Sequence, residues 1–265
     1  MKHKYAFLLS LQSLAFEIKQ LTGFSRECSD CFELLRMKLD DLCRFMTSEE
    51  NERQWDRWEH PGEDIRLHSG QLREASTEAL CELEKYQSIQ MLENKMNISE
   101  YMAKLSNAIQ EELQHFRIDP TSKVLFIGSG AFPLSALTIA KDTGAAVLCV
   151  DMDAEAVHLG KRVTELIGLH NRVQFSGKSV NELSFVNEAT HIMIASLVRN
   201  KIEIVENLKQ SMPMYTRIIL RYGNGLKSVF NYPLEKDLSQ DWQLTPIVRR
   251  KSIYDTLIIE QKQIW

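Results

Sequence analysis

Val124-Leu-Phe-Ile-Gly-Ser-Gly-Ala131, followed at Ala146-Val-Leu-Cys-Val-Asp151 by a second apolar run ending on an acid, decides the fold of this chain. The uninterrupted Val124–Ile127 suits a strand buried on both faces. Gly128 and Gly130 allow a sharp turn and a close approach of backbone to a ligand. Asp151 stands twenty-one residues after Gly130, about where a carboxylate accepts hydrogen bonds from ribose hydroxyls. A lone Gly-x-Gly is weak evidence. Joined to a preceding strand, a following helix pattern and an acid at this distance, it points to an adenosine-containing cofactor.

The same texture continues outward. Strands are expected at 123–128, 146–150, 172–176, 190–195 and 216–221, alternating with helices at 133–143, 154–168 and 201–211 and a helix or turn at 179–183. This is βαβ alternation, which implies a parallel sheet covered by helices. The alternating, β-rich Ser252–Gln261 adds antiparallel edge strands. Before Asp119-Pro120 the pattern is different. Apolar residues recur at three and four (Leu34, Leu35, Met37, Leu39, Leu42, Phe45; Leu80, Leu83, Ile89, Met91, Leu92), predicting helices near 4–21, 25–47, 49–58, 63–94 and 98–116. His60-Pro-Gly-Glu63 breaks the series, and Asn97 or Ser99 supplies a cap for the last helix. The expected fold is therefore α/β: a Rossmann-like doubly wound sheet over 119–265, preceded by an all-α domain over 1–118 that contributes to the active site.

The 265 residues are 44% hydrophobic and 26% charged, the balance of an ordinary packed core. A formal net charge of −4 and the lack of any long Lys/Arg block argue against nucleic acid as a partner. Five cysteines show no paired framework, so reduced thiols and a cytoplasmic setting are expected. Cys28-Ser-Asp-Cys31 has the spacing of a redox or zinc half-site; with no second pair it reads as two small residues on successive turns of a helix. Met1-Lys-His-Lys before Tyr5–Leu11 resembles a signal peptide, but Gln12, Glu17 and Lys19 interrupt the apolar stretch, which favours an amphipathic first helix. No segment is long enough to span a bilayer. The histidines, among them His68, His115 and His158, have no metal-ligand spacing, so no metal is expected.

A dinucleotide site aims backbone N–H groups at a pyrophosphate. Here the third glycine of Gly-x-Gly-x-x-Gly is replaced by Pro133, which has no N–H but suits a helix start. S-adenosylmethionine carries no phosphate and does not need that cradle. Asp-Met-Asp-Ala-Glu-Ala after the second strand has a form common at such sites. The candidate cofactor residues are Gly128, Ser129, Gly130, Pro133, Asp151 and Met152. Ordinary methyltransferase features are absent. After the fourth strand, Ala195-Ser-Leu-Val198 replaces an Asn/Asp-Pro-Pro-aromatic turn, and Gly177-Lys-Ser-Val180 offers no acid to the adenine amine.

Phe126-Ile-Gly-Ser-Gly-Ala-Phe-Pro-Leu134, Cys149-Val-Asp-Met-Asp153 and, above all, Leu220-Arg-Tyr-Gly-Asn-Gly-Leu-Lys-Ser-Val-Phe-Asn-Tyr-Pro233 resemble the nicotianamine synthase family. The likeness extends over nearly the whole chain, including the Trp55-Asp-Arg-Trp58 segment, and is greatest to the bacterial branch that makes opine metallophores such as staphylopine and pseudopaline. The resemblance implies transfer of the 3-amino-3-carboxypropyl (aminobutanoate) arm of S-adenosylmethionine to the α-amine of D- or L-histidine, with release of 5′-methylthioadenosine. It also implies a downstream opine dehydrogenase. It makes Glu84 the general base, with Glu82 and Glu93 as rivals and a solvated helix glutamate as the plain alternative. It gives Tyr101 the carboxylate of the transferred arm, the alternative being a packing tyrosine. Arg221, Tyr222, Gly223 and Tyr232 are the candidate substrate residues. Arg221, at the carboxyl end of its strand, is read as meeting a carboxylate or as forming a structural ion pair. A small-molecule methyltransferase remains the rival activity, and a homodimer is expected from the exposed helical half.

Overall fold

Buried side chains recur every third or fourth residue through the first half of the chain, and strands begin only at Lys123. The computed structural model describes residues 2–57, 62–95, 100–249 and 252–262, with the side chains of 100–102 outside it. Five helices come first: α1 (Lys2–Glu27), α2 (Cys31–Met46), α3 (Glu49–Asp56), α4 (Glu63–Leu92) and α5 (Glu100–Phe116). The α/β part follows as β1 (Lys123–Ile127), α6 (Leu134–Thr143), β2 (Ala146–Val150), α7 (Ala154–Ile167), β3 (Val173–Ser176), β4 (His191–Ile194), α8 (Lys201–Leu208), β5 (Arg217–Tyr222), β6 (Trp242–Ile247) and β7 (Asp255–Gln261). Short 3-10 turns fill 180–188 and 225–229.

The expected break inside 22–24 is absent. Gly23 has open space around it, and the helix runs through it, burying Thr22 and Ser25, whose hydroxyls donate to Ile18 O (2.8 Å) and Thr22 O (3.0 Å). The break falls instead at Cys28-Ser-Asp30. Cys28 is therefore exposed outside any helix, and Cys31 opens α2; both thiols are free. The expected caps Asn97 and Ser99, like Trp58 and the His60-Pro61 part of the preceding break, lie outside the described residues.

The seven strands are ordered β3-β2-β1-β4-β5-β7-β6. The first five are parallel, and β7 and β6 close the edge antiparallel. Successive residues point to opposite faces. Val124, Phe126, Cys149, Met193 and Ile219 pack under α5 and α6, while Leu125, Ile127, Ile192, Ile194, Ile218 and Leu220 pack against α8 and Trp242. A further apolar cluster joins Leu11, Leu35, Leu42, Ile65, Leu72 and Leu83 to Phe132, Val229, Phe230 and Tyr254. The helical and α/β parts thus share core. Trp55, 9% exposed, sits in that seam beside Phe7 and near Gly225.

Chain order reverses between β1 and β4, and ligands of open α/β sheets bind in the crevice outside such a switch point. The long helix α4 crosses that carboxyl edge. It touches the 225–229 turn at one end and α7 at the other.

Candidate functional site

The turn after β1 is held from below. Gly128 N and Ser129 N donate to Val150 O (2.8 and 3.3 Å). Gly128 and Gly130 have φ of +78° and +68°. A Cβ on Gly128 meets Val198, and one on Gly130 meets the Glu84 carboxylate. The glycines are needed because protein, as well as ligand, comes close. Asp151 braces the turn from β2: Oδ2 accepts from Gly130 N (2.8 Å) and Oδ1 from Asp153 N (3.0 Å). Asp153 caps α7 by accepting from Glu155 N and Ala156 N. Each Asp151 oxygen keeps a lone pair in reserve, so a fixed carboxylate of this kind suits a ribose diol. Met152 is 99% exposed beside it, an apolar surface at the sheet edge. The Ser129 hydroxyl is enclosed, next to the buried Cys149 thiol. Pro133 takes the N-cap position of α6, and its carbonyl accepts from Leu137 N (3.0 Å).

Helix α4 forms the roof. Ser88 Oγ donates to Ala131 O (2.8 Å), and Lys85 reaches Asp153 and Glu155 (2.7 Å each). One turn before Ser88, Glu84 is set against Gly130. Burial, then the nearby Asp151 charge, push its pKa up to about 8, against the pull of a hydrogen bond from Ala131 N. Its rivals are placed elsewhere: Glu82 pairs with Arg26 (3.3 Å), and Glu93 lies past the end of α4 next to Lys95. Tyr101 falls in the first turn of α5, with its side chain outside the described residues.

Three of the four expected substrate residues, Arg221, Tyr222 and Gly223, make close contacts within the protein. Arg221 is 3% exposed. Its Nε and Nη2 donate to Glu112 (3.1 and 2.7 Å) and its Nη1 to Ser135 Oγ (2.8 Å). Arg249 joins Glu112 from the other side (2.8 Å), and the two guanidinium groups stack on Tyr254 at 4.8 and 4.9 Å from the ring centroid. Glu112 and Ser135 take donors of Arg221, the arrangement of the structural ion pair that stood as the alternative to a substrate carboxylate. Tyr222 lies on the opposite face of β5 and packs with the α8-side cluster. Gly223 is required by its own loop. A Cβ there would lie 2.7 Å from Lys227 O and from Asn231 Cβ.

Tyr232, the fourth, packs against α4 and the segment after β4. Its hydroxyl donates to Glu74 of α4 (2.7 Å), and Arg73, Arg199 and Lys201 place cations 5.1, 5.3 and 5.4 Å from its ring centroid. Arg199 also pairs with Glu74. Lys201 is 3% exposed and donates to Ser196 O (2.8 Å), Val198 O and Tyr232 O (3.4 Å). Burial, then the charge of Arg73, pull its pKa down to about 7. Sequence reasoning missed this cluster because its members lie on three distant segments. It also missed Glu112. The available signal was a charged residue on the apolar stripe Leu105, Ile109, Phe116 of α5.

Among the described residues, no three His, Cys, Asp or Glu side chains are grouped to hold a metal ion, and no helix is long and apolar enough to cross a membrane.

A family model described as nicotianamine synthase protein matches residues 62–265. An L-histidine 2-aminobutanoyltransferase of Pseudomonas aeruginosa strain UCBPP-PA14 is 37% identical over 263 residues, covering 98% of this chain and 99% of the relative. A protein of the same name from Yersinia pestis is 30% identical over 254 residues, covering 96% and 95%. Among solved structures, MtNAS in complex with MTA and tNA superposes with a TM-score of 0.78 at 15% identity, covering 96% of this chain and 97% of that one. A mutant of MtNAS in complex with S-adenosylmethionine gives 0.72, with 93% and 97% covered. At that identity the structural likeness speaks for the fold.

Proposed function

The chain belongs to the nicotianamine synthase family, and on that premise we propose that it transfers the aminobutanoate arm of S-adenosylmethionine to the α-amine of histidine. The other product is 5′-methylthioadenosine. The observation that carries this reading is Glu84, a carboxylate held against the Gly130 turn with its pKa raised to about 8.

The amine nitrogen forms a bond to the γ-methylene of the arm as the carbon–sulfur bond breaks. The electron pair goes to sulfur and leaves a neutral thioether. The sulfonium is already a good leaving group, so no metal is needed. The protein's task is to bring the amine to about 3 Å from that carbon, in line with sulfur. The amine enters as ammonium, and Glu84 takes its proton. A carboxylate whose pKa burial has raised is a stronger base toward an α-ammonium group than one at the ordinary value. The cationic sulfonium and ammonium beside Glu84 favour its charged form, so the carboxylate is made available when both substrates are bound.

In this reading Asp151 holds the ribose, Met152 covers the adenine, and Gly128, Ser129, Gly130 and Pro133 shape the floor. Tyr101 holds the arm's carboxylate, and residues 1–118 and 119–265 act as two units that close one site. A separate opine dehydrogenase would use the product, and a cytoplasmic setting and a homodimer belong to the same proposal. The test is mass spectrometry of products from S-adenosylmethionine with D- or L-histidine. The expected products are methylthioadenosine and histidine heavier by one aminocarboxypropyl unit. S-adenosylhomocysteine in their place would make the chain a methyltransferase and overturn the proposal.

A further inference from the structure

We propose that Lys201 is a positioning residue for the S-adenosylmethionine site: its ammonium group brackets the segment after β4, so that Val198 keeps the Gly128 turn in its binding shape. This rests on the transfer reading above only for the cofactor, since any transfer from S-adenosylmethionine would use the same turn.

Two rules oppose a lysine at this place. Lys201 opens α8, where the positive end of the helix dipole disfavours a cation. It is also 3% exposed, and burial disfavours its charge. Its partners among the described residues are carbonyl oxygens and the Tyr232 ring (5.4 Å), not carboxylates. An ammonium group has three donors and no acceptor. Three carbonyls take them: Ser196 O (2.8 Å), Val198 O and Tyr232 O (3.4 Å). Asn200, with a left-handed φ of +48°, turns the chain just before Lys201. The side chain then reaches back to carbonyls three and five residues earlier.

The bracketed segment is one wall of the glycine turn. Ala195 N donates to Ile127 O (3.0 Å) and ties the start of the segment to β1. Ser196 O also accepts from Tyr232 N (3.1 Å), and Val198 N donates to Ala195 O (3.2 Å). Val198 lies directly against Gly128, where an added Cβ would overlap its Cγ2. Gly128 N is held by Val150 O (2.8 Å). The turn is therefore gripped at Gly128 between β2 and Val198, and at Gly130 between Asp151 and Glu84. Without the ammonium donors, the Ser196 and Val198 carbonyls must find other partners, because a buried carbonyl left unpaired is costly. The segment lifts toward water, and Val198 leaves Gly128. A turn that occupies its binding shape only part of the time lowers apparent affinity by that fraction.

5′-Methylthioadenosine is uncharged, so its binding reports the shape of the turn rather than the loss of a cation. It is titrated by calorimetry into wild type, Lys201→Met, Val198→Ala and the double variant. Each single substitution is expected to weaken binding about tenfold. The double variant is expected to bind within about twofold of the weaker single variant, because both substitutions remove one support. Lys201→Gln, which keeps two donors, recovers part of the affinity, and it takes the place of Lys201→Met in the cycle if that variant does not fold. Turnover gives a second readout. Lys201→Met raises the KM for S-adenosylmethionine about tenfold and changes the KM for histidine by less than about twofold. Wild-type affinity in either single variant overturns the proposal. So do losses that multiply to about a hundredfold in the double variant, since Lys201 and Val198 then act separately. Release of S-adenosylhomocysteine, with the two residues still coupled in binding, refutes aminobutanoate transfer and leaves this proposal standing.

Discussion

Glu84 shows how far a single residue was legible. Its sequence context, Cys81-Glu-Leu-Glu-Lys85, is that of a solvated helix face, and only the family resemblance distinguished it from Glu82. The structure separates the two by contact: Glu82 faces Arg26 while Glu84 faces Gly130. Glu84→Gln is expected to keep the affinity for S-adenosylmethionine and to lose about 100- to 10,000-fold in kcat; wild-type turnover in that variant would remove Glu84 from the mechanism. A second consequence concerns stability. Glu84 titrates near 8 in the fold and at about 4.3 when unfolded. Between those values the folded state holds a proton that the unfolded state has released, so stability falls as pH rises through the window. Glu84→Gln lacks this titration. Its melting temperature is expected to gain on wild type between about pH 5 and pH 8, and scanning calorimetry that finds a constant gap would contradict the raised pKa.

Among the elements, the loop Gly223–Tyr232 belongs to the most specific stretch of sequence, Leu220–Pro233, in which Gly223 and Tyr232 are candidate substrate residues. Folded, most of it binds protein. Gly223 N donates to Tyr232 O (3.2 Å), Asn231 Nδ2 to Ile253 O (2.8 Å) and Lys227 to Asp255 (2.5 Å), while Ser228 O accepts from Arg73. The loop is a hook that fastens α4 over the sheet and sets Tyr232 against Glu74. Its tight geometry is testable at Gly223. A methyl there must displace backbone at Lys227, so Gly223→Ala is expected to cost about 1–3 kcal/mol. Chemical denaturation checks this, and an unchanged midpoint would show that the hook is looser than described.

At the scale of the molecule, the helical half and the sheet are joined by a buried charge network as well as by apolar core. Glu112 of α5 is fully buried and meets Arg221 of β5 and Arg249 after β6, with the Tyr254 hydroxyl (3.1 Å) and Thr256 completing its shell. Removing the one carboxylate leaves two arginines enclosed without it. Glu112→Ala is therefore expected to lose about 3–5 kcal/mol, as when a buried pair is broken. Urea unfolding measures the loss, and a cost under about 1 kcal/mol, the value of an exposed pair, would mean that water reaches the network. The same network fixes α5, whose first turn carries Tyr101, relative to α6 at Ser135, the helix that follows the glycine turn.

The sequence by itself determined the periodic features: helices at three-and-four spacing, βαβ alternation, the glycine turn and Asp151. These are local, because φ/ψ preference and face-to-face alternation are written within a few residues of one another. It also carried the family in motifs too specific to arise from packing. Only the tertiary structure decided which charges remain available to a substrate. Arg221 ends an apolar run and Arg199 follows one, yet the first is enclosed by a glutamate 109 residues away and the second is exposed, paired with Glu74. A charge is satisfied by whatever lies within a few ångströms of it, and that neighbourhood exists only once distant segments have packed.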